Sequence, residues 1–476
     1  MSMTVSGQDV DGDTFTIRLV GPGDLRVVKQ NDSTGNPASL SSASLINEIT
    51  VAGTNPQSSR LVARVNKAPT GDGKVFFANL TQLSSRSLTA GNGNGLQSVD
   101  MPNFYLGDTD PATASVQGTP KASIRIPDGV NTFRFGGADT TAFFGTTNSQ
   151  RLNQNNTSDL FVIALGEPVS GGVRVIANSF VSDAQAAVTT GTTPGSPTQD
   201  GIQLVVQGRL NYFQANTIQG NSSLPSGRFS NSGGTLVQSV PDVAGLTGQI
   251  GFVKIGGDAT NFSVQTNDRI SDFFIGGETN NIFLLTPGGS RNLQFGKGMD
   301  NVSVLTHNIQ TVSANRGATN SSISANREAG LLRFGGDVQG TTVESGVNQD
   351  LLSAFNNQSD PTTSNAQSGG GMTVQIAGNV VDSVFAASVE PFNGVFGSAN
   401  DLNLPHGNVV AKVEGTISNA NATPDSPNQA FYANDVNVTR GPVIPPNVAE
   451  TPFTPTSTVK LPGIGKQVNG QPVIRI

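Results

Sequence analysis

The chain has 476 residues, ample for a large core, yet only 13% are charged and 35% hydrophobic, with 57 glycines; soluble globular chains carry about 25% charged and about 45–50% apolar residues, so a conventional helical enzyme is a poor match. The net charge of -7 comes from few charges rather than an acidic excess, which gives no basis for capture of nucleic acid or an anionic membrane. With no Cys and two His, His307 and His406, disulfides, thiolate catalysis, Cys-bound zinc and multi-His centres drop out.

No window approaches the ~18 apolar residues of a membrane helix, and the start MSMTVSGQDVDGD has no basic-then-apolar signal segment. A polar, Gly/Asn/Ser/Thr-rich composition suits an extracellular or cell-surface protein. Residues 1–130 read as an irregular β region or cap. Here Asp9, Asp11 and Asp13 in DVDGD place alternate carboxylates as a calcium loop would. Thr14 and Val20 stand where an EF-hand needs Gly and Glu, which excludes that motif and leaves a looser Ca2+ site or a solvated turn. FTIRLV, GPG and DLRVV predict a hairpin over 15–28, and INEITVAG, RLVARV and GKVFFANL further strands.

Residues 131–439 carry a repeat of about twenty residues. GFVKIGGDATNFSV, DFFIGGETNNIFLL, NLQFGKGMDNVSVL, TVSANRGATNSSIS and LLRFGGDVQGTTVE align with Gly257, Gly277, Lys297, Arg316 and Gly336 at one position. Gly137 and Gly378 fit the same template, and Gly208 fits it less well. Each copy holds two period-2 runs joined by a Gly-assisted corner, which is strand periodicity and too short for two helices. Stacked parallel coils about 4.8 Å apart would align Ile255, Ile275, Phe295, Ala314 and Phe334 in one inward column and Val264, Leu284, Val304, Ile323 and Val343 in another. Asn261, Asn281, Asn301 and Asn320 would form a corner ladder. The fold class expected is therefore all-β, a parallel β-solenoid with loops at 189–200 and 356–371.

Asp258 and Glu278 share a repeat position, so their carboxylates would lie about one coil apart, near the ~5 Å of a retaining glycosidase pair. Turn formation and cation binding are the competing readings of the two acids. Glycan grooves favour Trp and Tyr platforms, but there is no Trp and only three Tyr beside 25 Phe, so the aromatics read as core fillers. The alternation turns Phe274 and Phe283 outward as a contact site for the C-terminal segment or another subunit. That segment, residues 440–476, is a Pro-rich strap ending in VIRI, whose Val473, Ile474 and Ile476 could add as a strand to a neighbour's edge.

DVDGDTFTIRLVGPGDLRVV, the recurring IGGD, IAGNVVDSVFAAS and NVVAKVEGTISNANATPD resemble repeats of large secreted bacterial β-helical surface proteins. The resemblance covers most of the chain in style and implies a structural, adhesive or matrix role with no shared catalytic set. The function expected is a non-enzymatic, self-associating subunit of a surface layer, matrix or fibre. The alternatives are a carbohydrate-active β-helix, since some β-helices of this size are polysaccharide lyases or hydrolases, and an adhesin binding glycan or protein through its loops.

Overall fold

The computed structural model describes residues 2–29, 46–83, 95–108, 120–143, 160–167, 171–182, 201–220, 234–241, 248–357, 363–364, 368–390, 396, 402–418 and 430–446. Its elements are forty strands and one short helix, Leu351–Asn357. Most strands pair in parallel with a strand one repeat away, as the alternating apolar pattern and polar corners require. One ladder runs through Leu210–Ala215, Ile250–Ile255, Arg269–Ile275, Gly289–Phe295, Ile309–Ala314, Ala329–Phe334, Gly371–Ile376, Asn408–Val413 and Asp435–Arg440. A second holds Ala259–Thr266, Thr279–Thr286, Val302–Thr306, Ser322–Ala325, Thr342–Ser345 and Val384–Ala387. A third, of two-residue strands, starts at Met299–Asp300 and ends at Ile417–Ser418.

Both inward columns expected from the repeat exist in register. Ile255, Ile275, Phe295, Ala314 and Phe334 are successive partners, as are Val264, Leu284, Val304, Ile323 and Val343, and all are buried. A Phe file threads the core, with ring contacts from Phe133 through Phe135, Phe180, Phe213, Phe262 and Phe273 to Phe295 at 4.9–6.4 Å between centroids. Burying each such ring contributes on the order of 2–3 kcal/mol.

Three features depart from the repeat. Ten strands close a ring through their pairings: Val75–Leu83, Leu96–Asp108, Val130–Phe143, Ser179–Val181, Thr217–Gln219 and Ala259–Thr266, then back through Gly234–Val240, Gly201–Gln207, Leu160–Gly166 and Ala122–Ile126. The remaining ladders continue outside it. The closure uses long strands that turn a corner and so find partners on two faces, which a short repeat does not foretell. Second, Thr14–Val20 and Asp24–Lys29 are strands but not the hairpin expected over 15–28. The first pairs antiparallel with Ser2–Gln8 and Arg60–Asn66, the second with Ile46–Ala52. Gly21 and Gly23, at φ 100° and 122°, part them. Third, Gly208 is at a different corner from Gly257: the Gly257 amide bonds the carbonyl of Asn216, so Asn216 precedes it in the stack.

The Asn corner follows from backbone geometry. Asn261, Asn281, Asn301 and Asn320 all adopt left-handed φ of 47–61°, which Asn tolerates better than other side chains. Gly340 and Asp382 continue the column at φ 56° and 47°. The Asn281 amide donates to the Asn261 side chain, whereas Asn301 donates to Asn280 at 3.1 Å, so the ladder of side-chain bonds is interrupted while the conformational column is not.

Candidate functional site

Asp9, Asp11 and Asp13 converge, each offering an oxygen within 4.8 Å of the others. The sequence brings them together because a turn between strands folds Asp13 back on Asp9, whose Oδ1 accepts the Asp13 amide at 2.8 Å. Both Asp13 oxygens are occupied by a distant loop, Oδ1 by the Ala68 amide and Oδ2 by the Gly73 amide, each at 2.5 Å. Asp11 Oδ2 accepts the Asp72 amide at 2.9 Å. Gly71 packs so closely that a Cβ there would land on the Asp13 carboxylate. Such oxygens suit a hard cation such as Ca2+, and here backbone N–H groups take much of that coordinating capacity. The cluster is a knot that ties the 67–74 loop to the first turn.

Asp9 is the uncompensated member. Burial, a hydrogen bond to Asp11 and the charges of Asp11 and Asp13 push its carboxyl up to about 8. Lys29, 3% exposed, donates to the Gln8 carbonyl at 2.6 Å, and burial lowers its ammonium to about 8 against the opposing pull of Asp9. The sign follows from proton counts. Between about pH 4 and about pH 8 the folded state holds a proton on Asp9 that the unfolded chain has released, so stability falls as pH rises through that window. Above it, Lys29 acts oppositely, adding stability from about pH 8 until its ordinary range is passed. Asp9→Asn is expected to abolish the decline between about pH 6 and pH 8, above the range of ordinary carboxylates. Urea midpoints of the two proteins across that range test this, and parallel curves would refute it.

Asp258 and Glu278 do lie one rung apart, but their geometry is that of a corner brace. Asp258 Oδ1 accepts the Glu278 amide at 2.8 Å. The same bond recurs where Asp337 accepts the Asn379 amide at 2.7 Å and Asn379 accepts the Thr416 amide at 2.9 Å. Glu278, 57% exposed, faces Lys297 and Arg316 at 3.2 Å each. An open notch of about 450 Å³ lies above it, lined by Glu278, Gly298, Asp300, Arg316, Gly317 and Asp337. Burial raises the Asp300 carboxyl, helped by the Glu278 charge.

Phe274 and Phe283 point outward as expected but are not the exposed pair the alternation suggests, at 8% and 2% exposure. Phe283 forms a second apolar cluster with Leu285, Leu305, Leu351 and Phe355, in which the helix Leu351–Asn357 covers the sheet. Lys254 sits 5.9 Å over the Phe274 ring. Val473, Ile474 and Ile476 lie outside the described residues. The start of the strap is described: Val443 is buried and its amide bonds Glu414, and Pro446 approaches Gly335.

Sequence reasoning missed a second outward aromatic group. Arg174, Tyr212 and Phe252 are successive rungs on the outer side of one ladder, all half-buried. The guanidinium lies 5.0 Å from the Tyr212 ring centre, and the Tyr212 and Phe252 rings are 5.6 Å apart. Burial raises the Tyr212 hydroxyl, partly offset by Arg174; that hydroxyl donates to Gln214 at 2.6 Å.

Compared with family models, curated proteins and solved structures, the chain matches none. Among the described residues, no helix is long and apolar enough to cross a membrane.

Proposed function

We propose that the ladders wind as one β-solenoid, the repeat style of secreted bacterial β-helical surface proteins, and that the chain is an extracellular structural subunit that self-associates through its coil ends. The observation that carries this reading is the terminal strand Asp435–Arg440. Among the described residues it pairs on one side only, with Asn408–Val413, and all six of its residues are exposed. Val436 and Val438 stand over the buried Val409 and Ala411, so they are inward-column residues with no further rung above them among the described residues, each 38% exposed. An unpaired, apolar parallel edge is a template for another strand. The sequence supplies a candidate donor in Val473, Ile474 and Ile476. Arg440, over Val413, puts a charge at the next inward position, and its guanidinium turns aside to the Gly415 carbonyl.

The brace role of Asp258 and the ion-paired, exposed Glu278 favour this reading over a glycosidase, for which a pair of carboxyls must both face substrate. Val436→Lys with Val438→Lys is expected to abolish concentration-dependent association in sedimentation velocity and to remove any filaments seen by electron microscopy. Association unchanged by the double variant, or a wild-type chain that stays monomeric throughout the concentration range, would sink the proposal.

A further inference from the structure

The geometry points to a head-to-tail junction between copies of this chain, in which the open edge of Asp435–Arg440 pairs with the open edge of Ser2–Gln8 on the next copy. It rests on self-association through the coil ends and names the partner of the tail edge. Both strands belong to one ladder. From Ser2–Gln8 the ladder runs through Thr14–Val20, Arg60–Asn66, Leu96–Asp108, Val130–Phe143 and Val173–Ile176 to Leu210–Ala215, and from there to Asp435–Arg440. These two are the first and last of its fifteen strands, and among the described residues each pairs on one side only.

One inward column carries the match from end to end. It begins at Met3, opposite Leu19, and closes at Val438, over Ala411, and every partner between these ends is at most 1% exposed. In this column only Met3 and Val438 are open, at 39% and 38%. Strand direction agrees as well. Ser2–Gln8 and Arg60–Asn66 both lie antiparallel to Thr14–Val20 and so run the same way, and from Arg60–Asn66 onward every pairing in the ladder is parallel. A copy translated along the stack therefore sets Val438 over Met3 in the parallel pairing the ladder already uses. In that register Thr439 stands over Thr4 and Asn437 over Ser2, polar pairs without like charges. The stem of Arg440 covers Val5 while its guanidinium stays at the Gly415 carbonyl. Ser2–Gln8 also lacks the charges and prolines that usually guard an open edge. A two-fold, tail-to-tail pair leaves that head edge open, whereas translation covers both ends and repeats without closing. The second ladder ends at Phe431–Tyr432, one strand before Asp435–Arg440 in the chain, so the first ladder carries the junction.

The test is complementation. A head variant, Met3→Lys with Val5→Lys, and the tail variant, Val436→Lys with Val438→Lys, are run in sedimentation velocity alone and as an equimolar mixture, beside wild type. Each variant alone is expected to stay monomeric, its association weakened at least about hundredfold by lysines in a buried seam. The mixture should give one-to-one dimers and stop there, because a single pair of intact ends remains. Those dimers also show that both variants fold, and circular dichroism checks each by itself. Wild-type filaments should show an axial repeat of about 72 Å in electron micrographs, fifteen strands at about 4.8 Å, and truncation after Pro446 should leave association unchanged. A mixture that stays monomeric while wild type associates overturns the junction. So does a head variant that associates as wild type does; if the tail variant is then monomeric, the tail pairs with another tail and self-association itself stands. Loss of association on truncation also overturns it and gives the tail edge to residues 447–476. A wild-type chain that never associates removes both this junction and the reading on which it rests.

Discussion

Gly317→Ala is expected to cost about 3 kcal/mol or more, whereas Gly298→Ala, one rung below in the same column, is expected to stay within about 1 kcal/mol. The repeat makes the two glycines equivalent, since both follow a basic residue, Lys297 or Arg316, at the reference position. Their surroundings differ. Gly317 has φ 130° and a Cβ added there would land on the backbone carbonyl of Asp337, the same oxygen that accepts the Ala318 amide at 3.0 Å. An alanine must therefore bear backbone strain of about 1–3 kcal/mol and also disrupt the pairing of Ala318–Thr319 with Val338–Gln339. At Gly298 the nearest atom to an added Cβ is 3.4 Å away, ordinary contact, and the lost unfolded-state freedom favours the variant. Because long stacks of rungs need not unfold in one step, hydrogen exchange at Ala318 and Val338 is the direct readout. Equal protection in the two variants would mean that the corner tolerates a side chain at either rung.

The same contrast explains what could be seen in the sequence. The inward columns are legible because alternation and the corner motif together fix register: with the corners aligned, Ile255, Ile275, Phe295, Ala314 and Phe334 fall in line even though the step before Ala314 is one residue shorter. The left-handed corner was legible at Asn261, Asn281, Asn301 and Asn320 because Asn marks that conformation, but not at Asp382 or Gly340, where other residues meet the same requirement. The direction of Phe283 was legible and its burial was not, since the cover comes from Leu351 and Phe355 in an insertion outside the repeat. Gly208 fits the template yet lies at another corner, because period-2 strands on two faces look alike when nothing local distinguishes the corners. Arg174 and Tyr212 escaped notice for a related reason. The residues between their strands break the repeat, so their shared outer column exists only once pairing sets the register.

Asp13→Ala is expected to destabilise the N-terminal region by about 2–6 kcal/mol, the cost of leaving two backbone donors without their acceptors. Asp13 is fully buried, and its two oxygens are the acceptors for the Ala68 and Gly73 amides. Without them both N–H groups lose their partners, at about 1–3 kcal/mol apiece where water cannot replace them. The loss should be local. Exchange at Ala68 and Gly73 and proteolysis within 67–74 should rise sharply, while Val264 and Leu284, far along the stack, keep their protection. Asp13→Asn, which retains one acceptor oxygen but turns an NH2 toward the second donor, should fall between alanine and wild type. Asp9→Asn should shift stability the other way near pH 8, because it removes a carboxylate that burial and its two acidic neighbours disfavour. Opposite signs at two carboxylates four residues apart are the signature of a knot in which one acid is satisfied by backbone donors and the other is held in place by the fold. If both variants destabilise equally at pH 8, the cluster acts instead as a single charged unit, and Asp9 must be ionised and paired with Lys29.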